Sequence, residues 1–163
     1  MMFAPTKLLW TCLSHVLTSL IGLAKELSGL DPDEYGAYKL SGSTGTPRYM
    51  PPEVALYKNY GYGVDVYCLA ITMYEVLSLK SPFADVPSKL FHDLVYEKGV
   101  RPIIESTWPD ALGSLMDNMW AIDPTRRPSS ESVATDLSEM LRGSDEGLFP
   151  ISYFSIGNWF PGK

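Results

Sequence analysis

The residues from Asp65 to Leu79 (DVYCLAITMYEVLSL) are apolar on nearly every side, with Glu75 almost the only charge among them. A helix without a polar face has to be buried all round, so the rest of the chain must supply elements to surround it. Asp65 stands where its carboxylate can cap the first turn by accepting backbone N–H bonds.

Three further segments have helical spacing. In Ser88 to Lys98, Leu90, Leu94 and Val95 form a stripe, Ser88 serves as N-cap and Gly99 as C-cap. Asp110 to Trp120 puts Leu112, Leu115, Met116 and Met119 on one face, and Asp123-Pro124 ends it. From Ser130, the positions Val133, Leu137, Met140 and Leu141 recur every three to four residues, with Gly143 as the expected C-cap. No internal repeat and no strand-like alternation is present, so the fold class is mainly α. At 163 residues and 45% hydrophobic content the chain suits one globular unit with a real core.

The formal charge of −6 leaves no basic surface able to neutralise several phosphates, which argues against nucleic acid as a partner. Cys12 and Cys68 are the two cysteines. Cys68 lies in the apolar helix, where a reduced, core-filling thiol is expected, and this favours a reducing, cytoplasmic location. Leu8 to Ala24 is an apolar run interrupted by His15 and by Ser and Thr residues, and no convincing small-residue cleavage site comes after it. Membrane attachment is therefore not the favoured reading. Ser28 to Thr46 is a long Gly, Ser, Asp and Pro-containing loop, and residues 143–163 form an aromatic-rich tail.

After the loop comes Gly45-Thr46-Pro47-Arg48-Tyr49-Met50-Pro51-Pro52-Glu53. It resembles the G-T-x-x-Y-M-A-P-E stretch that closes the activation segment of protein kinases, with Pro51 in place of the alanine. The resemblance continues in order through Asp65-Val66-Tyr67, Pro82-Phe83, Lys98-Gly99-Val100-Arg101-Pro102 and the stretch Trp120 to Pro128 (WAIDPTRRP). A single P-P-E is weak; five ordered landmarks around a matching helix are specific. The resemblance spans about Gly22 to Leu141, and its features point to the serine/threonine type within the tyrosine-kinase-like group. The chain thus divides into residues 1–21 outside the resemblance, 22–142 as a partial kinase domain, and the tail 143–163.

The resemblance implies roles residue by residue. Glu53 and Arg127 would form a buried bidentate ion pair. Asp65 would brace the catalytic loop from behind. Thr46 would contact catalytic groups, and Arg48, Tyr49 and Met50 would form the floor facing a protein or peptide substrate. Ser41, Ser43 and Thr44 are candidate phosphorylation sites, where a phosphate can order a loop by pairing with arginine.

A complete domain of this family uses ATP and Mg²⁺, held by a Gly-rich loop, a strand lysine, an H-R-D-x-x-x-x-N loop and a D-F-G aspartate. None of these motifs occurs in this sequence. Gly22-Leu23-Ala24-Lys25-Glu26-Leu27 resembles the G-L-A-K-E-L that often succeeds D-F in the family, but the two preceding residues are Leu20 and Ile21. His15 is succeeded by Val16 and Leu17 and is not an H-R-D remnant. Neither a catalytic residue nor a bound cofactor or metal is therefore expected of this chain alone. Two readings result: the carboxyl-terminal part of a serine/threonine kinase domain, partnered by its missing half, or a pseudokinase-like protein-binding module. An in-frame H-R-D and D-F-G just upstream of the Gly22 codon would distinguish the first from the second.

Overall fold

The computed structural model describes residues 26–142. Leu8 to Ala24, Cys12, Gly143 and the tail lie outside the described residues. Among those residues the fold is helical, and the only β pairing is an antiparallel bridge between Tyr38 and Tyr60. No described helix is long and apolar enough to cross a membrane.

Helix α1 (Pro52–Ala55) is a single turn, and α2 (Gly63–Ser78) is the central helix. After it come α3 (Asp110–Met119) and α4 (Ser130–Arg142). Pro52 suits the first helical position of α1, because its fixed φ is already helical and its missing N–H would be unpaired there anyway. Pro51 is extended at φ −72, ψ 154, as a residue before proline must be. Helix α2 ends at Leu79, whose left-handed backbone (φ 56) closes a bond from its N–H to the Glu75 carbonyl.

Helix α2 departs from the expectation in two ways. It starts two residues before Asp65, so Tyr62 occupies the cap position and Asp65 makes no capping hydrogen bond. Nor is it enclosed: Val66, Tyr67, Ala70, Ile71 and Tyr74 are buried, whereas Leu69, Val76 and the adjoining Leu79 are 43%, 56% and 64% exposed. The apolar count set the need for burial, but the described elements cover only one side.

The segment expected as one helix over Ser88 to Lys98 is a 3₁₀ turn (Ser88–Leu90) followed by a π-helical turn (His92–Glu97). Pro87, not Ser88, precedes the first turn. The wider turn is marked by the Lys98 N–H bonding to the Asp93 carbonyl five residues back at 3.0 Å. It buries Val95 and Tyr96 while Leu90 stays 49% exposed. Gly99, at φ 71, closes the turn in the left-handed conformation, and the Val100 N–H reaches the Leu94 carbonyl at 2.8 Å.

Helix α3 matches its pattern closely: Leu112, Leu115, Met116 and Met119 are all buried. Trp120 sits just past its end, with the indole N–H donated to Asp117 at 3.0 Å. Helix α4 buries only Val133, with Leu137 and Met140 packed against the core and Leu141 61% exposed. Its first turn is capped by Ser129, whose hydroxyl accepts the Ser132 N–H at 3.1 Å.

Candidate functional site

Thr46 to Glu53 runs from loop to core. Thr46 is extended (ψ 121), Pro47–Tyr49 form a 3₁₀ turn, and Met50 returns to extended geometry before the proline pair. Every residue of the turn is tied downward. The Tyr96 hydroxyl donates to the Pro47 carbonyl at 2.8 Å. Arg48 donates Nη1 to the Pro82 carbonyl, and the Tyr49 hydroxyl donates to the Glu75 carboxylate in a short hydrogen bond. The Cys68 thiol donates to the Tyr49 carbonyl at 3.2 Å, and burial pushes that thiol's pKa up to about 12. Met50 is buried in the core, while Thr46 is exposed and its hydroxyl makes no capping bond.

Glu53 and Arg127 meet in a bidentate pair, with Nη1 to Oε1 at 2.6 Å and Nη2 to Oε2 at 2.8 Å. Arg127's side chain is fully buried and Glu53's is 4% exposed. Arg127 is brought there by a 3₁₀ turn (Pro124–Arg126), which Asp123 caps by accepting the Thr125 N–H at 3.0 Å and hydroxyl at 2.8 Å. The guanidinium also donates to the Gly63 and Ala121 carbonyls, each at 3.0 Å. One side chain thus fastens α1, the start of α2 and the turn after α3.

Two guanidiniums approach the Tyr67 ring, with Arg127 Cζ 5.0 Å and Arg101 Cζ 5.1 Å from its centroid. Arg101 is held by the Trp120, Val95 and Val100 carbonyls at 2.8, 3.0 and 2.9 Å. Burial raises the Tyr67 hydroxyl's pKa to about 12 despite the two cations, and that hydroxyl has no hydrogen-bond partner among the described residues. Burial likewise lowers the pKa of Arg101.

The loop before Thr46 is strapped to α1 and to the chain after it. The Ser43 N–H donates to the Val54 carbonyl at 2.8 Å, and the Tyr60 hydroxyl donates to the Ser41 carbonyl at 2.8 Å. Gly42 packs so closely that an added Cβ would stand 2.7 Å from Tyr57 Cδ1. Ser41 and Ser43 are exposed; Thr44 is half-buried, with its hydroxyl donating to the Gly42 carbonyl at 3.1 Å. Arg48, the arginine nearest to these hydroxyls in sequence, has its guanidinium turned to Pro82 and not to them.

Asp65 stands apart from this group, exposed in the first turn of α2, where partial desolvation raises its carboxyl's pKa. Three contributors had no role assigned from sequence: Glu75, Tyr96 and Arg101. Glu75 carried a signal, as the one charge besides Asp65 within an apolar helix; Arg101 lay inside a recognised motif without a target.

The family profile for protein tyrosine and serine/threonine kinases matches residues 7–137. The chain belongs to this kinase family. Mitogen-activated protein kinase kinase kinase 7 of Homo sapiens is 30% identical over 123 residues, covering 72% of this chain and 20% of that protein. Dual specificity protein kinase shkC of Dictyostelium discoideum is 33% identical over 102 residues (62% of this chain, 20% of the relative). Serine/threonine-protein kinase STY17 of Arabidopsis thaliana is 32% identical over 109 residues (66% and 19%). The chain thus spans about a fifth of the length of these curated relatives. The kinase resemblance of the tyrosine-kinase-like type and the helical, partial lobe agree with these matches.

The kinase family uses Mg²⁺ and ATP. Among the described residues, His92, Asp93 and Glu97 are the one group with ligand atoms within 4.8 Å of one another. All three are exposed.

Proposed function

We propose that this chain is the substrate-side portion of a serine/threonine protein kinase domain, which phosphorylates protein hydroxyls when complete but transfers no phosphate as the present chain. The observation that carries this reading is the fastened turn Pro47–Tyr49, held from beneath by Tyr96, Glu75 and Cys68 and succeeded by the Glu53–Arg127 pair. A preorganised floor of this kind suits positioning a peptide more than doing chemistry. Thr46 is left free at its edge to meet catalytic groups supplied by the complementary part of a kinase domain. Among the described residues Asp65 is a carboxylate without a side-chain hydrogen-bond donor, suited to accept backbone N–H groups from that same part. Ser41, Ser43 and Thr44 are the candidate phosphorylation sites. The free Cys68 thiol fits a cytoplasmic, reducing location.

A second reading, a pseudokinase-like module that holds a protein without catalysis, is favoured by one observation. The loop Ser41 to Thr46 is fixed by main-chain contacts and needs no phosphate to keep its path. The two readings share the absence of turnover and part on reconstitution.

The test is incubation of the purified 163-residue chain with labelled ATP, Mg²⁺ and a Ser/Thr peptide library, with calorimetry of Mg-ATP alone. No transfer and no binding heat are expected; measurable turnover would overturn the proposal. Adding the complementary amino-terminal kinase portion should restore transfer under the first reading and leave it absent under the second.

A further inference from the structure

Helices α3 and α4 lie against each other, and a groove of about 360 Å³ runs between them. It stays open because Ala111 and Ser114, on the α3 wall, are too short to fill it. Leu115 and Met140 supply its apolar lining, and both pack into the core. Asn118 on α3 and Asp136 and Glu139 on α4 complete it, and spacings of three and four put each set on one helix face. The side chains of Ser114, Asn118, Asp136 and Glu139 make no hydrogen bond or ion pair among the described residues. Four open polar groups thus converge beside an apolar surface, the make-up of a binding site.

We propose that this groove is a docking site for a protein partner, which seats an arginine side chain in it. Size points to one long side chain, since about 360 Å³ is at the small end of the roughly 300–1,000 Å³ of ligand sites. Charge decides the sign of the occupant. Helices α3 and α4 carry Asp110, Asp117, Glu131, Asp136 and Glu139 against Arg142 as their one base, and the whole chain has a formal charge of −6. Shape and hydration decide for arginine over lysine. The methylene stem lies along Leu115 and Met140, and the planar fork spreads its donors over the Asp136 and Glu139 carboxylates, the Ser114 hydroxyl and the Asn118 carbonyl oxygen. An ammonium is more compact and more strongly hydrated, so it gains less from acceptors spread over two helices.

A second depression, of about 260 Å³, shares Glu139 but lacks these properties. Its Thr135 and Ser138 hydroxyls are already donated to the Glu131 and Ala134 carbonyls, and Arg142 in its lining supplies a cation of the chain's own. The groove between α3 and α4 shares no residue with the turn Pro47–Tyr49 or with the groups that fasten it. Partner docking here is therefore independent of the substrate-side surface.

The test uses the full chain, isotope-labelled for amide NMR, with the peptide acetyl-Leu-Arg-Leu-amide as probe. Amide resonances of Ser114, Asn118, Asp136 and Glu139 should shift and saturate with a Kd of about 1 mM. The same peptide with citrulline, which keeps the shape and loses the charge, should bind at least about tenfold more weakly, because charge-assisted hydrogen bonds are the stronger kind. The lysine peptide should fall between the two. Asp136→Asn with Glu139→Gln should weaken arginine binding by at least about tenfold. Ser114→Trp, which fills the groove from an exposed position, should abolish binding with both acids intact. Citrulline or lysine binding as tight as arginine, shifts confined to other residues, binding untouched by these variants, or no saturation by about 10 mM peptide would each overturn the proposal. A chain that sediments as a dimer and is returned to monomer by Ser114→Trp would assign the groove to a second copy, and would overturn it too.

Discussion

Replacing Glu53 by Gln keeps the shape of the side chain and removes the negative charge from a fully buried guanidinium. Breaking a buried pair by neutralising one partner costs about 3–5 kcal/mol, because the remaining charge is left without compensation. Arg127 keeps its bonds to Gly63 and Ala121 and its stacking on Tyr67, which places the expected loss near the low end, about 3 kcal/mol. With a urea dependence of about 1.5 kcal/mol per molar, the unfolding midpoint falls by roughly 2 M. The assay is urea unfolding monitored by tryptophan fluorescence, which reports on Trp120 beside the ion pair's anchor at Ala121. The paired substitution Glu53→Leu with Arg127→Met removes both charges and should cost less than the sum of the single changes. The coupling energy expected from that cycle is about 2 kcal/mol. A Glu53→Gln loss below about 1 kcal/mol, or an additive double variant, would show that the pair does not tie these elements together.

Gly42→Ala drives a Cβ into the Tyr57 ring and within 3.0 Å of the Tyr57 Cα, so a loss of about 1–3 kcal/mol is expected. Faster hydrogen exchange at the Ser43 amide, now bonded to Val54, should accompany it. Cys68 should resist alkylation near pH 8: its pKa of about 12 against an ordinary 9.0 reduces the thiolate by roughly a thousandfold, readable against the unfolded chain in a Cys12→Ser background. Tyr67 and Tyr96, both pushed by burial to about 12 from 10.0, retain their protons in the folded state after the unfolded chain has lost them. Stability should therefore fall as pH rises above about 10, with phenolate absorbance from these two rings appearing only near about 12 or on unfolding. Early ionisation of both would refute their burial.

Local rules found what depends on local order. Leu112, Leu115, Met116 and Met119 lie within one segment, and four apolar residues at that spacing define both a helix and its buried face. The family landmarks brought together Glu53 and Arg127, 74 positions apart, which no periodicity could have paired. The π-helical turn at His92–Glu97 was not legible, because an apolar pattern of three and four cannot distinguish an α turn from a wider one. The burial of Tyr96 under Pro47 is a tertiary fact. Ser129 and Ser130 come after Pro128 as equally competent caps, and only the backbone path selects the first. The open side of α2 was hidden for a similar reason. Apolar residues state that a face needs cover, whereas the supply of cover belongs to the rest of the chain. Arg101 had a recognisable setting, but its target, the ring of Tyr67, comes within reach only once both segments are folded.

The straps on the loop before Thr46 run through main-chain atoms: an amide at Ser43, a carbonyl at Ser41 and a carbonyl at Val54. The side chains at 41 and 43 are exposed, the Thr44 hydroxyl bonds locally to the Gly42 carbonyl, and Gly42 is sterically obliged. Route and chemistry are thus separable in this stretch. The exposed hydroxyls of Ser41 and Ser43 can be exchanged or lost in the course of descent while the floor at Pro47–Tyr49 stays in register, so the loop can vary its surface without changing its path.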